Sequence, residues 1–343
     1  MTGDRPGETF TLADLPPRAP LGMPDGWVAD VLGDDFRALT LPLADDDEGE
    51  VVATLVRHDP GLVGLRPARA VLYVHGWSDY FFQTGLAEFW TAQGIAFYAL
   101  DLRKYGRSLR EHQTPGYVET LVTYDEEIDA ALATIHAELG PHCAVLLTAH
   151  STGGLVTALW ADRHPGRVTG LALNSPWLEL QGSSIARTVS TPAVAQIARF
   201  HPRTPLPNID PGYYARVVDE HSGGTWVTDP RWRPNPSFPV RAGWLRAILA
   251  GHATVAAGLS IDVPVLVSLS ARTHINPRWS EDMRAADIVL DVETIARRAS
   301  SLGDTVTLVR IDGGIHDLAL SPPGPRAQFY RQLARWSLAY GWG

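Results

Sequence analysis

Four short, largely apolar runs, Ala70–Val74, Ile95–Leu100, Cys143–Leu147 and Val168–Leu173, the first of them unbroken, alternate with segments of helical periodicity, and this alternation is what most restricts the fold. A strand that is apolar at every residue has both faces buried, as in a parallel sheet covered by helices on each side. Parallel neighbours need crossovers, and the intervening segments supply them. Phe82, Leu86, Phe89 and Trp90 recur at helical spacing before Gly94, and Val122, Ile128, Ala131 and Ile135 place a second helix over 121–139. Ahead of them, β-like runs over Phe36–Leu43 and Val51–His58 flank Asp45-Asp46-Asp47-Glu48-Gly49-Glu50, which reads as a solvated acidic turn.

The alternation stops near Leu180 and resumes at Val263. Residues 181–255 hold nine of the 26 prolines together with Trp226, Trp232 and Trp244, a composition unsuited to sheet layers and read as a lid inserted over the sheet. The strand Val265-Leu266-Val267 then returns to the core. A helix capped by Asp291 carries Val292, Ile295, Ala296, Ala299 and Leu302 on one face, and strand Val306–Ile311 and a final helix with Phe329, Leu333, Trp336 and Tyr340 complete the chain. The expected organisation is an N-terminal extension over 1–34, a core over 35–180 and 256–343, and the lid over 181–255. The first thirty or so residues, rich in Pro and Gly, are expected to wander over the surface.

Composition removes several classes of function. The 343 residues carry a net charge of −9 without a dense basic run, so neither nucleic acid nor an anionic membrane surface is an expected partner. The single cysteine, Cys143, excludes an internal disulfide framework, and no metal or organic cofactor is expected. No stretch of about 18 apolar residues offers a spanning helix. The start lacks a basic flank leading into an apolar core, so a cytoplasmic enzyme or binding protein is the default expectation.

The chemistry enters at Thr148-Ala149-His150-Ser151-Thr152-Gly153-Gly154, which joins the strand Cys143–Leu147 to the helical Leu155-Val156-Thr157-Ala158-Leu159. A serine between small residues at a strand-to-helix junction is the arrangement of a nucleophile elbow, where the turn is too tight for bulk two residues before or after the serine. Ala149 and Gly153 meet that demand, and Ser151 is the expected nucleophile. His150, adjacent along the chain, would point elsewhere and is read as a packed structural residue.

With these residues in view, the chain resembles the α/β-hydrolase superfamily, and more narrowly its monoacylglycerol lipase, lysophospholipase and serine-aminopeptidase-like branch. Four stretches carry the likeness: Val74-His75-Gly76-Trp77, Asp101-Leu102-Arg103-Lys104-Tyr105-Gly106-Arg107-Ser108, the elbow at 149–154, and Gly313-Gly314-Ile315-His316-Asp317. The resemblance spans roughly 35–340 and implies a mostly parallel sheet with helices on both faces and an inserted lid. It also implies the order serine, acid, histidine along the chain. His316, in a Gly-rich loop just past the last strand, takes the place of the base.

The acid is harder to place, because the strand ending in Ser268-Leu269-Ser270-Ala271-Arg272-Thr273-His274 has no carboxylate where the family carries one. The loop is lengthened and offers Glu281, Asp282, Asp287 and Asp291. Asp291 is better explained as a helix N-cap, and Asp287 is preferred because it leads into the helix before the last strand, with Asp282 second. The family further implies oxyanion donors at the backbone N–H groups of Trp77 and Thr152, and an ion pair between Asp101 and Arg103. Tyr80, Phe81, Trp177, Tyr213, Tyr214 and Trp244 are candidate substrate contacts, each with packing as the competing explanation.

The expected activity is hydrolysis of a small-molecule carboxylic ester with a medium-sized apolar acyl group, or of a lipid-like monoester. A peptidase of the proline-aminopeptidase kind would need an acidic pocket, for which Asp210, Asp219 and Glu220 are candidates. Lactonase or thioesterase activity would use the same triad. An acyltransferase or a non-catalytic ligand-binding protein of the same fold is the alternative of another class.

Overall fold

Alternation of side chains along each strand, one residue up and the next down, accounts for how the sheet divides the core. The computed structural model describes residues 26–60, 67–180, 192–207 and 210–342. Among them nine strands form one sheet: β1 (Val28–Asp30), β2 (Gly33–Pro42), β3 (Val52–His58), β4 (Arg69–Val74), β5 (Ala96–Asp101), β6 (Ala144–His150), β7 (Gly170–Asn174), β8 (Val265–Ser270) and β9 (Val306–Ile311). Their order across the sheet is β1-β2-β3-β5-β4-β6-β7-β8-β9. The first three are antiparallel to their neighbours, and the rest are parallel to one another.

Helices α1 (Thr84–Thr91), α2 (Asp125–Leu139) and α3 (Thr152–Arg163) make the first crossovers. After β7 come α4 (Pro192–Phe200), α5 (Tyr213–Val218) and α6 (Ala242–Ala257), then α7 (Val292–Ala299) between β8 and β9, and α8 (Pro323–Trp336) last. No helix among the described residues is long and apolar enough to cross a membrane. On one face of the sheet Leu72 and Leu147 pack with Ile128 of α2, Leu155 of α3, Ile248 of α6 and Ile295 of α7. On the other, Val71 and Leu146, one position away along the same strands, pack with Trp90 of α1 and Phe329 and Trp336 of α8. The expected parallel sheet covered on both faces is therefore present.

Three expectations need correction. The N-terminal extension of 1–34 includes β1, which pairs with β2; the remainder of the expected wandering segment, 1–25, lies outside the described residues. The strand is held because Asp30 makes a nearly buried pair with Arg107 at 2.6 Å. Asp101 and Arg103 do not pair with each other. Asp101 accepts from Arg107 Nη1 at 2.7 Å and from the Phe81 and Arg107 backbone amides, whereas Arg103 reaches Glu127 of α2 at 2.6 Å. Left-handed residues at Lys104 and Gly106, with φ of 63° and 47°, turn the chain so that Arg107 returns to the strand end and takes Asp101, while Arg103 lies on Glu127 of α2.

The acidic turn is the third. Lys104, buried, meets Asp46 at 2.5 Å and Glu48 at 2.6 Å, and Arg203 from the segment after α4 pairs with Asp47 at 2.5 Å. What reads as a solvated run is a bracket joining the loop after β5 to the insertion. Burial pulls the Glu48 carboxyl upward, but hydrogen bonds from Lys104 and Thr114 outweigh it and hold the group at about 2. A folded value below the unfolded one means the contribution is complete above about pH 4.5 and is lost as pH falls toward 2. Glu48→Gln is therefore expected to flatten the fall of melting temperature below pH 4.5 relative to the parent protein. Parallel melting-temperature curves for the two proteins from pH 7 to 2.5 would contradict this assignment.

Between β7 and β8 the chain leaves the sheet. Of the segment expected as a lid, 181–191 and 208–209 lie outside the described residues. The last of its helices, α6, packs into the same layer as α3, with Trp244, Ala247, Ile248 and Val255 buried there. The part standing over the strand ends is built instead around Val217, Val218 and Trp232, which pack on Tyr80, Phe82, Ile315 and Leu320.

Candidate active site

A parallel sheet presents its functional loops beyond the carboxyl ends of the strands, and four such loops converge here. β4 and β6 are in register, with Val74 opposite Ala149, so the segments His75-Gly76-Trp77 and His150-Ser151-Thr152 leave the sheet side by side. Ser151 has φ of 52°, a left-handed conformation that is strained for a serine and lifts its side chain out of the turn. The turn closes only because Gly153 lacks a side chain: a Cβ there would overlap the carbonyl oxygens of His75 and Val74. The Ser151 N–H donates to the Asn174 carbonyl of β7 at 3.1 Å, which fixes the turn from the other side.

Ser151 Oγ lies 3.0 Å from His316 Nε2, and His316 Nδ1 lies 2.9 Å from Asp287 Oδ2. Since a carboxylate only accepts, Nδ1–H is the donor to Asp287 and Nε2 is left to accept from the serine hydroxyl. Relative exposures of 8%, 2% and 0% for Ser151, His316 and Asp287 put the whole relay out of bulk water. Asp287 reaches this place although β8 ends well before it, because the lengthened loop folds back. Its N–H donates to Arg272 O, its C=O accepts from His274 N, and Thr273 and Asp287 form a parallel bridge beside the strand end. Its second oxygen, Oδ1, accepts from the Val289 and Leu290 amides at 2.8 and 2.7 Å. The other acids of that loop go elsewhere: Glu281 and Asp282 are exposed on a short 3-10 turn, and Asp291 caps α7.

Asp317 is adjacent to His316 in sequence, but its carboxylate is engaged in the opposite direction. Oδ1 accepts from Asn174 Nδ2 at 2.7 Å and from the Ala319 amide, while Oδ2 accepts from Gln83 Nε2 at 3.0 Å. Asn174 Oδ1 in turn accepts from the Leu318 amide. Asp317, Asn174 and Gln83 thus tie down the loop that carries His316. Sequence reasoning overlooked this trio, since its members stand 83, 174 and 317 along the chain with no spacing rule to link them.

His150, beside Ser151 along the chain, is buried and turned to the backbone of β7. His150 Nδ1–H donates to Asn174 O, and burial holds its imidazole below the usual histidine range. His75 sits in a similar bind. It accepts from the Leu102 amide through Nε2, so Nδ1 carries the proton and donates to the Gly76 carbonyl at 2.8 Å. Burial lowers its basicity, keeping this neutral tautomer. In a trans peptide C=O and N–H point opposite ways, so anchoring the Gly76 carbonyl also sets the direction of the Trp77 N–H. Thr152 opens α3, and its N–H has no intrahelical acceptor.

The candidate contacts divide. Tyr214 meets the His316 ring, with centroids 5.4 Å apart and planes at 78°. The Trp177 backbone N–H donates to Ser151 O, and Trp244 lies between two other indoles, with ring centroids 3.9 Å from Trp77 and 6.1 Å from Trp177. Phe81 and Tyr213 are corrections. Phe81 is fully buried under the sheet against Tyr73 and Phe97, because its N–H is drawn to Asp101. Tyr213 faces outward, its hydroxyl donating to Pro277 O and its ring meeting Trp279. Tyr80 spends its hydroxyl on the Asp229 amide. The acids considered for an amino-terminus pocket serve local turns or are exposed: Asp210 accepts from the Gly212 amide, Asp219 caps the turn at 220–222, and Glu220 is exposed.

A buried serine, histidine and carboxylate in line, beside two amides in the places implied for oxyanion donors, can perform nucleophilic acyl chemistry. Comparison with known proteins bears on the family. The profile of the family described as serine aminopeptidase, S33, matches residues 66–322. No curated protein sequence matches the chain. Among solved structures, a monoacylglycerol lipase from Paleococcus ferrophilus superposes with a TM-score of 0.61 at 20% identity, covering 79% of this chain and 94% of that one. A soluble variant of monoglyceride lipase from Saccharomyces cerevisiae, in complex with a substrate analogue, gives 0.61 at 14% identity, covering 87% and 94%. At such identities the likeness establishes the α/β-hydrolase fold.

Proposed function

The chain belongs to the serine aminopeptidase S33 family of α/β-hydrolases, and from that premise we propose that it cleaves carboxylic esters through an acyl-enzyme. The observation that carries the reading is the continuous relay from Ser151 Oγ through both nitrogens of His316 to Asp287. Ser151 Oγ forms a bond to the ester carbonyl carbon as its proton passes to His316 Nε2. Asp287 keeps the imidazole in the accepting tautomer and offsets the imidazolium charge. The oxyanion that forms accepts from the Trp77 and Thr152 amides, whose value lies in being fixed before charge develops, about 3 kcal/mol for each donor. His316 then gives its proton to the departing alkoxide, the carbon–oxygen bond to the leaving group breaks, and the same nitrogen activates the water that releases the acid.

An apolar acyl group is favoured by the walls. Trp77 and Trp177, each within a residue or two of the backbone groups at the serine and only partly buried, offer aromatic surface backed by the buried Trp244, and the described part of the insertion acts as a lid bringing Tyr214 over the histidine. Against a peptidase stands the engagement of Asp210 and Asp219 in local turns, which leaves them poorly suited to binding an ammonium group.

A fluorophosphonate probe tests the nucleophile, and p-nitrophenyl esters of graded length alongside aminoacyl anilides test the substrate class. Covalent labelling at Ser151 and turnover of medium-chain esters above anilides are the expected results. Anilide turnover without ester turnover would overturn the ester assignment, and absence of an adduct would overturn the enzyme.

A further inference from the structure

The loop carrying the Trp77 amide is gripped at three consecutive positions by one stretch of the insertion, 229–238. Ser78 Oγ accepts from the Phe238 amide at 3.0 Å. Asp79 Oδ1 lies 3.2 Å from Arg233 Nε, an ion pair whose side chains are only 8% and 9% exposed. Tyr80 Oη accepts from the Asp229 amide at 2.9 Å, and its ring meets Trp232 edge-on at 5.1 Å. Ser78 itself holds φ of 50°, a strained left-handed value that persists only where neighbours impose it. The loop is thus fixed on its core side by His75, which holds the Gly76 carbonyl, and on its outer side by the insertion.

Arg233 is the unusual member. Its guanidinium lies against Tyr214 and Phe82, with ring centroids at 5.2 and 5.7 Å, in the cluster that covers His316. Burial raises the Asp79 carboxyl above its usual range, against the pull of Arg233, and His150 and Asp317 also act on it. Two nearly buried charges at this depth are costly to desolvate and contribute little net stability, so a role in geometry accounts better for their presence.

We infer that Arg233 is a positioning residue: through Asp79, and together with the tethers at Ser78 and Tyr80, it sets the place of the Trp77 amide. The inference rests on the reading of that amide as an oxyanion donor. A donor is useful only where the developing charge forms, so a displaced amide costs transition-state binding while leaving ground-state binding almost unchanged. Displacement by about 1 Å can cost up to about 100-fold.

The test is steady-state kinetics on the full chain with a p-nitrophenyl ester, with active sites counted by fluorophosphonate titration. Arg233→Met and Asp79→Asn are each expected to lower kcat per titrated site about 10- to 100-fold with KM within about threefold, and Arg233→Lys to recover most of the loss. The double variant is expected to lose no more than the worse single one, since both cut one link. A stabilising role alone would lower the melting temperature and the titratable fraction but leave kcat per site unchanged. If either charge variant gives no folded protein, Ser78→Ala/Tyr80→Phe decides, because it removes two tethers without stranding a charge; a several-fold fall in kcat is expected. Values of kcat within about twofold of the parent in the folded variants, or a loss confined to KM, overturn the inference. A parent protein that the probe does not label would instead overturn the reading beneath it.

Discussion

Replacement of Ser151 by alanine is expected to lower kcat for ester hydrolysis about 10⁶-fold, equivalent to about 8 kcal/mol of barrier, while the protein stays folded. The size follows from the geometry. Ser151 Oγ is the atom held 3.0 Å from His316 Nε2, and with it gone the histidine has no hydroxyl to deprotonate. The fold should survive because the turn is held by other groups: the Ser151 amide on Asn174, the Ser151 carbonyl accepting from Trp177, and the bare Cα of Gly153 under His75. Thermal denaturation and binding of a non-hydrolysable ester analogue separate the two effects. Ester hydrolysis within about tenfold of the parent would show that the chemistry runs elsewhere.

The second large effect concerns which carboxylate serves the base. Asp287→Asn is expected to lower kcat about 10⁴-fold, because the amide N–H₂ facing Nδ1 forces the proton onto Nε2, where it blocks acceptance from the serine. Local geometry should be kept, since the side-chain carbonyl can still accept from the Val289 and Leu290 amides. Asp317→Asn is expected to cost about tenfold or less in kcat and to show mainly in stability. Its carboxylate serves Asn174, Gln83 and the Ala319 amide rather than the base. Asp282→Asn, on an exposed turn, should change neither. A larger loss in the Asp317 variant than in the Asp287 variant would reverse the assignment.

Much of this site is readable along the chain because it depends on local necessity. The elbow needs small residues around a serine between strand and helix, and 149–154 state that need within six positions. His316 follows a strand end in a Gly-rich loop. Asp287 could be ranked above its neighbours because it leads toward the helix before the last strand. The structure adds that this loop, although long, folds back onto the end of β8. Readings of which groups face each other fared worse. Asp101 and Arg103 are two apart and of opposite charge, yet each finds a different partner: the turn through Lys104 and Gly106 brings Arg107 back to Asp101, and Arg103 meets Glu127 of α2. Phe81 lies between Tyr80 and Phe82, which face the insertion, but its amide is captured by Asp101 and its ring turns beneath the sheet.

The alternation of strands and helices, the parallel sheet and the candidate serine and histidine were determined by the sequence alone, since burial periodicity and turn sterics act over a few residues. The partners of charges were decided only by the tertiary structure. The acidic run at 45–50 became a bracket around Lys104, Asp317 turned to Gln83 and Asn174, and Asp79 met Arg233 from the insertion. An ion pair or a side-chain hydrogen bond has no period. Its strength depends on distance and on how far water is excluded, and both are created when remote segments pack together.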